Sequence, residues 1–347
     1  MDRQILLVGY FGFDNLGDEL LLISLLDFIR HNFQDIKPLV LYGKNLPSVY
    51  GADVIPRKKL LSGIIKADGV CFSGGSIIQD ATSVRSLVYY LGIILLSFIT
   101  GKPVIMVSQG FGPVETWLGK KLIRILDLVY SISVRDVDSY KFLERSGIRR
   151  PKIYQGNDLV SFLDIDRFRI EDSSVERDVL VSVREAEGFR EEEFLDAFVR
   201  FREENNLNLA FFVTHKDEDA RITEEFARKL DCEILFWDDP ISAMKILSSA
   251  RFIVSMRLHP LIISSLLEIP FLGIIYDPKV RSFVSLFPDA HSLDISSDSS
   301  QIEDTLNLAW RNRERIKSGI IKYRDNLNKQ ETFNPIYDLY SLWSKDR

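Results

Sequence analysis

Residues 250–276 read ARFIVSMRLHPLIISSLLEIPFLGIIY. The apolar run 251–256 has the length and composition of a buried strand, residues 260–268 predict a helix, and 270–275 predict a second buried strand. Pro260 suits the first turn of that helix, where its missing N–H costs little. A strand, a helix and a strand in direct succession predict two parallel strands joined by a crossover, and hence a parallel sheet covered by helices.

The same alternation runs along the rest of the chain. In the first half, strands are predicted at 4–9, 38–42, 69–73, 103–108, 130–135 and 152–155, with helices at 18–32 and 136–146. In the second half, strands at 179–183, 209–214 and 232–236 alternate with helices at 190–205, 217–230 and 240–249. This order predicts an α/β protein with two doubly wound, Rossmann-like parallel sheets.

The expected domains are 1–165 and 176–300, joined by a charged linker at 164–178. Residues 301–347 predict C-terminal helices that pack back on the N-terminal domain. Two such domains facing a cleft resemble the GT-B architecture of many glycosyltransferases. Ligands of open parallel sheets bind beyond the carboxyl ends of the strands, so the informative residues should follow the strands directly.

Composition narrows the classes of function. The chain has 347 residues, 46% hydrophobic and 27% charged, with a formal charge of −6. This acidic balance argues against a general nucleic-acid binder. Cys71 and Cys232 lie in apolar runs and predict buried thiols in a reducing compartment, so a cytoplasmic location is expected. No Cys/His cluster has zinc spacing, and no metal or cofactor is expected. The oligomeric state is not determined by the sequence.

Residues 86–100, SLVYYLGIILLSFIT, form a strongly apolar segment between Arg85 and Lys102. The segment is shorter than the roughly 18–20 residues that span a bilayer. Two interpretations stay open: a buried core helix, which is favoured, and a peripheral surface that docks on the inner face of a membrane.

The strongest candidate site follows strand 251–256, where Arg257 and His259 precede a helix. A guanidinium, an imidazole and the N–H groups of a helix N-terminus together favour binding of phosphate or carboxylate. His215 follows another strand and is a second candidate histidine. Three other cationic residues also follow strands: Arg184, Arg135 and Lys279. Each is compatible with an ordinary ion pair, but several together indicate a positive cleft in an acidic protein.

Three glycine-rich turns follow strands of the first half: 9–19 (GYFGFDNLGDE), 73–76 (SGGS) and 109–113 (QGFGP). Glycine lets the backbone approach a ligand closely and adopt positive φ. A tight turn before a capped helix would give the same pattern. The spacing is not that of the dinucleotide-binding fingerprint.

These motifs resemble the polysaccharide pyruvyl transferase family, in particular its bacterial cell-surface-anchoring type. The resemblance rests on the block 9–19 and on 73–80, 108–113, 133–148 and above all 255–280. Ser76 stands where the family tends to have a third glycine, and Leu159 where it tends to have a proline.

The resemblance implies a phosphoenolpyruvate donor, and as acceptor a lipid-linked amino sugar of a cell-wall polysaccharide precursor. The product is a cyclic pyruvate ketal. His259 is expected to transfer protons and Arg257 to bind the donor, with Arg184, His215, Lys279 and Arg135 as further donor contacts. The acceptor side is expected to comprise Asn15, Gly17, Gly74, Gly75, Ser76 and Gly110, with Asp18 as general base.

Two rival functions remain. The same turns and cations would bind the diphosphate of a nucleotide sugar in a GT-B glycosyltransferase. A non-catalytic sugar- or anion-binding protein of the same fold is the other alternative.

Overall fold

The computed structural model describes residues 2–81, 83–168 and 177–345. The chain divides into two compact units. The first comprises Met1–Phe13, Gly17–Leu163 and Asn328–Arg347, and the second comprises Asp14–Leu16 and Asp164–Leu327. The predicted linker 164–178 lies outside the described residues at 169–176, and its start is a short 3₁₀ helix, Ile165–Phe168.

The first unit contains an eight-stranded sheet. Its strands are β1 (Arg3–Val8), β2 (Ile36–Tyr42), β3 (Ser48–Val49), β4 (Ala52–Pro56), β5 (Gly69–Ser73), β6 (Val104–Gln109), β7 (Ser131–Val134) and β8 (Lys152–Gln155). Its helices are α1 (Leu16–Asn32), α2 (Leu60–Lys66), α3 (Val84–Ile99), α4 (Trp117–Leu122) and α5 (Val137–Arg145).

The strand order of this sheet is β3-β4-β2-β1-β5-β6-β7-β8. All neighbouring pairs are parallel except β3 and β4, which form an antiparallel hairpin. The hairpin turns at Tyr50 and Gly51, whose φ angles of 47° and 74° are both positive, as the tightest hairpin turns require. The sequence gives no signal for this hairpin, because its strands are too short for a clear alternation.

The second unit contains a six-stranded parallel sheet of order β11-β10-β9-β12-β13-β14. Its strands are β9 (Arg177–Ser182), β10 (Leu209–Phe212), β11 (Glu233–Leu235), β12 (Ala250–Ser255), β13 (Phe271–Ile275) and β14 (His291–Asp294). Its helices are α6 (Glu191–Asn205), α7 (Lys216–Lys229), α8 (Pro240–Ser248), α9 (Leu258–Leu266), α10 (Pro278–Val284), α11 (Ser299–Arg311) and α12 (Arg313–Asp325).

The C-terminal helices divide between the units, whereas the sequence placed all of 301–347 on the N-terminal domain. α11 packs on α6, and Trp310 lies edge-on to Phe252 with ring centroids 5.9 Å apart. The last helix, α13 (Lys329–Lys345), belongs to the first unit. Phe333 stacks on Phe28 there, and the indole of Trp343 donates to the carbonyl of Asp68 at 3.3 Å. The division follows from the apolar anchors, since Trp310 and Trp343 are buried in different cores.

α3 corresponds to the apolar segment 86–100. One side of it is buried in the core of the first unit, through Leu87, Tyr90, Leu91, Ile93 and Ile94. The core-helix interpretation is therefore right for that side. In the described part of the chain, no helix combines the length and the apolar character needed to cross a membrane.

Candidate functional site

The candidate cations of the second unit gather where its strand order reverses. From β9 the chain moves to β10 and β11 on one side, and it returns to β12 on the other side of β9. Crevices for ligands form at such switch points, beyond the carboxyl ends of the two strands. Ser182 of β9 pairs in register with Ser255 of β12. Arg184 and Arg257 each lie two residues beyond this pair.

The guanidinium of Arg257 is held by two acidic residues of α7. Its Nε donates to both carboxylate oxygens of Asp219, at 2.9 and 3.2 Å, and Nη2 donates to Oε2 of Glu218 at 2.7 Å and also to Asp219. Asp219 is fully buried, and the side chain of Arg257 is only 12% exposed. Burial disfavours the charged guanidinium, but its hydrogen bonds with Asp219 and Glu218 raise the pKa of Arg257 above its ordinary value.

The carboxylate of Glu218 lies close to the side-chain nitrogens of three residues. It lies 2.7 Å from Arg257, 3.5 Å from Nη2 of Arg184 and 3.9 Å from Nε2 of His215. Partial burial opposes ionisation, but the hydrogen bond and charge of Arg257, with His215 and Arg184, hold the pKa of Glu218 below its usual value. Three nitrogen groups thus surround one half-exposed carboxylate, which is the arrangement of an anion site.

Arg184 also connects to the strand end of β13. Its Nη1 donates to the hydroxyl of Tyr276 at 3.2 Å, and its guanidinium carbon lies 4.9 Å from the centroid of the same ring. The amino group of Lys279 lies 6.0 Å from that centroid and 3.4 Å from Asp277. Lys279 and Arg184 therefore contact the same tyrosine ring, and Asp277 partly neutralises the charge of Lys279.

His215 caps helix α7. Its Nδ1 accepts the N–H of Glu218 at 3.3 Å, so the neutral ring carries its proton on Nε2. Nε2 is buried and makes no hydrogen bond within the described part of the chain. The backbone of Asn15, expected on the acceptor side, pairs with His215, and Asp14–Leu16 cluster with the second unit. Asn15 thus lies among the expected donor contacts.

His259 is half-buried in the first turn of α9. The sequence placed it at the cap with Pro260 first in the helix; in the structure Arg257 is the N-cap residue and the helix begins at Leu258. The register differs because Ser255 caps the preceding turn: the N–H of Arg257 donates to its hydroxyl at 2.9 Å. His259 and Arg257 remain at the same strand end.

The first unit has its own switch point, between β1 and β5. Gly17 and Asp18 lie in the first turn of α1, the helix that follows β1, and Gly74 and Gly75 directly follow β5. Gly74 and Gly75 have φ angles of 45° and 73°, which L side chains rarely adopt. A Cβ atom at Gly75 would come within 3.4 Å of a carboxylate oxygen of Asp18. The structure thus brings together Asp18 and the Gly74–Gly75 turn.

Glu19 supports the first glycine-rich loop. Its carboxylate accepts the N–H of Gly12 at 2.7 Å and the hydroxyls of Tyr42 and Tyr50 at 3.0 and 2.7 Å. Since Glu19 is buried with these three partners, we assign it to holding the loop.

Ser76, Gly110 and Arg135 form a second cluster in the first unit. Nη2 of Arg135 donates to the Ser76 hydroxyl at 2.7 Å, and Arg135 also pairs with Asp158 at 3.3 Å and Asp136 at 3.4 Å. A Cβ atom at Gly110 would lie 2.5 Å from Ser76 Oγ and 2.9 Å from Nε of Arg135. Arg135, expected as a donor contact, therefore lies among residues expected to bind the acceptor.

Arg57 is a further cation at the carboxyl ends of the first unit's strands. It was not identified from the sequence. Its Nη2 donates to the carbonyl of Gly9 at 2.8 Å and to the hydroxyl of Tyr90 at 3.3 Å. Its guanidinium carbon lies 4.7 Å from the ring centroid of Phe13 and 5.4 Å from that of Tyr89. Because it follows β4, the strand that was not assigned, its position gave no signal.

Comparison with models of known protein families identifies the family of this chain. The model of the polysaccharide pyruvyl transferase family matches residues 15–278. The chain belongs to this family. The match includes β9 and β12, which form the switch point of the second unit, and it confirms the family inferred from the motifs. No curated protein matches the chain.

Solved structures similar to this family member share its fold over nearly the whole chain. A putative UDP-N-acetylglucosamine 2-epimerase from Listeria monocytogenes has a TM-score of 0.67 at 11% identity, covering 99% of this chain and 98% of its own. The S. aureus MnaA–UDP co-structure has a TM-score of 0.62 at 13% identity, and the match covers 96% of this chain and 94% of that one. MurG of Acinetobacter baumannii has a TM-score of 0.53 at 11% identity, and the match covers 97% of this chain and 98% of that one. The GT-B-like fold class is thus confirmed.

Three polar residues of the second unit were not identified from the sequence: Glu218, Asp219 and Tyr276. A weak signal existed for two of them, since HKDED at 215–219 places acids one turn beyond His215. Their pairing with Arg257 could not be predicted, because the partners are 38 and 39 residues apart. Among the described residues, no group of three or more His, Cys, Asp or Glu side chains could hold a metal ion.

Proposed function

We propose that the protein transfers pyruvate from phosphoenolpyruvate to a sugar as a cyclic ketal and releases phosphate. Family membership supports a pyruvyl transferase. The observation that carries the donor assignment is the convergence of Arg184, Arg257 and His215 on the carboxylate of Glu218. A small donor with a phosphate and a carboxylate needs such a set of hydrogen-bond donors at one strand edge.

Glu218 occupies the position that a donor oxyanion would take. Its side chain is 47% exposed, so it can turn towards solvent when a stronger anion arrives. Asp219 is fully buried and stays on Arg257, which keeps the guanidinium oriented. The Nε2–H of His215 would then donate a hydrogen bond to an oxygen of phosphoenolpyruvate.

The chemistry requires four events. A proton goes to the methylene carbon of phosphoenolpyruvate, which leaves positive charge at the carbon that bears the phosphate. One sugar hydroxyl attacks this carbon, and the bond to the phosphate oxygen breaks. A second hydroxyl closes the ketal ring. Of the two hydroxyl protons, one replaces the proton given to carbon and the other leaves with phosphate. We assign proton donation to His259, which belongs to the same strand end as Arg257.

The acceptor is proposed to bind the first unit. Gly74, Gly75, Ser76 and Gly110 line its carboxyl edge, and Asp18 is positioned there to accept a hydroxyl proton. We propose a lipid-linked amino sugar of a cell-wall polysaccharide precursor as the acceptor. The enzyme would act in the cytoplasm, at the inner face of the membrane.

The test is incubation of the full chain with phosphoenolpyruvate and a lipid-linked disaccharide carrying N-acetylmannosamine. We expect release of inorganic phosphate and a product heavier by one pyruvyl ketal in mass spectrometry. Arg184→Ala should weaken donor binding, whereas Arg281→Ala, at an exposed arginine that pairs with Asp294 at 3.6 Å, should not. Release of UDP from a UDP-sugar, with no phosphate from phosphoenolpyruvate, would replace this function by glycosyl transfer.

A further inference from the structure

Helix α3 exposes an apolar stripe to solvent. Val88, Leu95, Leu96 and Ile99 lie on one face of the helix and are 41%, 39%, 39% and 69% exposed. Phe98, beside them, is 56% exposed. A helix that covers a sheet normally presents charged and polar residues on this side. Between Arg85 and Lys102, α3 has no charged residue at all.

The helices on either side extend this stripe. The connections β4–α2–β5, β5–α3–β6 and β6–α4–β7 all progress in the same direction along the parallel sheet. Right-handed crossovers therefore place α2, α3 and α4 on one face of it. Leu61 and Ile65 of α2 are 54% and 59% exposed, and Trp117 and Leu118 of α4 are 70% and 41% exposed. We call the solvent side of these three helices the apolar face.

The charged residues of these three helices and of the turn before α2 have one sign. Residues 58–66, α3 and α4 contain six basic and no acidic residues: Lys58, Lys59, Lys66, Arg85, Lys120 and Lys121. The whole chain, by contrast, has a net charge of −6. Lys121 Nζ lies 3.8 Å from the ring centroid of Trp117. An exposed tryptophan beside lysines is typical of the boundary between lipid headgroups and acyl chains.

We propose that the apolar face docks the protein on the surface of an anionic phospholipid bilayer. Exposed apolar side chains would enter the acyl boundary, and the lysines would pair with lipid phosphates. An acidic protein partner would match the charges but not an apolar stripe along the whole of α3. The docking gives the enzyme access to a lipid-linked acceptor, and in that respect it rests on the proposed function; the surface itself is argued from exposure and charge alone.

The first test is co-sedimentation of the full chain with vesicles of phosphatidylglycerol and phosphatidylcholine, without any acceptor. We expect binding to these vesicles and at least about tenfold weaker binding to pure phosphatidylcholine. The variants Leu95→Gln/Ile99→Gln and Lys120→Glu/Lys121→Glu should each weaken binding by about tenfold or more. Leu308→Gln is the matched control, since Leu308 is 48% exposed on α11 of the second unit.

Tryptophan fluorescence gives a second measurement that does not depend on a variant's stability. Of the four tryptophans, Trp237, Trp310 and Trp343 are buried and Trp117 is exposed. Anionic vesicles should shift the emission to shorter wavelength, and Trp117→Phe should remove this shift.

Three outcomes would overturn the docking. They are failure of the unmodified chain to bind anionic vesicles, equal binding by the stripe variants and the control, and self-association that the stripe variants abolish in sedimentation equilibrium. The last would assign the apolar face to a second copy. Turnover of a soluble acceptor analogue separates the two proposals. Turnover without vesicle binding refutes the docking alone, and vesicle binding without phosphate release refutes the proposed function alone.

Discussion

Replacing Arg257 by alanine should destabilise the second unit as well as weaken donor binding. The sequence suggested an effect on the donor alone, but the structure shows that Arg257 neutralises Asp219, which is fully buried. Removing one partner of a buried ion pair costs about 3–5 kcal/mol, because the other charge is left without compensation. The additional contact with Glu218, which is 47% exposed, adds at most about 1 kcal/mol.

The assay is differential scanning calorimetry. For a unit of this size, 1 kcal/mol corresponds to about 2–4 °C in Tm, so the total loss of about 3–6 kcal/mol should make Arg257→Ala melt roughly 6–24 °C below the unmodified protein. Arg281→Ala, whose side chain is 68% exposed, should shift Tm by less than about 4 °C. Adding Asp219→Asn to Arg257→Ala removes the isolated buried charge and should restore at least about half of the loss.

Arg257 does not neutralise a costly buried charge if Arg257→Ala has the same Tm as Arg281→Ala. The same conclusion follows if adding Asp219→Asn to Arg257→Ala lowers the Tm by as much as Asp219→Asn does alone. Donor affinity is then measured at a temperature where both variants are folded. The double variant should regain stability without regaining affinity for phosphoenolpyruvate, since it still lacks the Arg257 guanidinium that binds the donor.

Three further predictions concern single residues. His259→Ala should lower kcat by about 10²–10⁴-fold in a phosphate-release assay, because the proton donor to carbon is lost, with Tm nearly unchanged; unchanged turnover would contradict the assignment of proton donation to His259. Glu218→Gln should lower the KM for phosphoenolpyruvate about fivefold, because the substrate no longer has to displace an ion pair of ~1 kcal/mol. A higher KM would contradict the displacement of Glu218 by phosphoenolpyruvate. Burial disfavours ionised Asp80, but hydrogen bonds from Thr116 and the N–H of Glu115 outweigh it and lower its pKa below 3.8. A lowered carboxyl pKa stabilises the fold above the unfolded value, and this stability is lost as the pH falls through the folded value. Asp80→Asn should therefore be destabilised at neutral pH in urea titrations, with the difference narrowing below pH 3.8; a constant difference would contradict this.

The secondary structure was largely predictable because its signals are local. Apolar runs followed by glycine or a capped helix start identified the strands that form the centre of both sheets, together with the residues that follow them. The short hairpin of β3 and β4 had no such signal, so Arg57, directly after β4, was missed with it. The tail helices were recognised as helices, but their division between two cores depends on where Trp310 and Trp343 pack.

The sequence by itself determined the fold class, the family motifs and the presence of Arg257 and His259 at one strand end. Only the tertiary structure decided how the cations are neutralised: Asp219 and Glu218 reach Arg257 from α7, and Arg135 pairs with Ser76 and Asp158 in the other unit. The physical reason is that helix and strand periodicity arises between near neighbours in the chain, whereas an ion pair depends on which elements the sheet order places side by side.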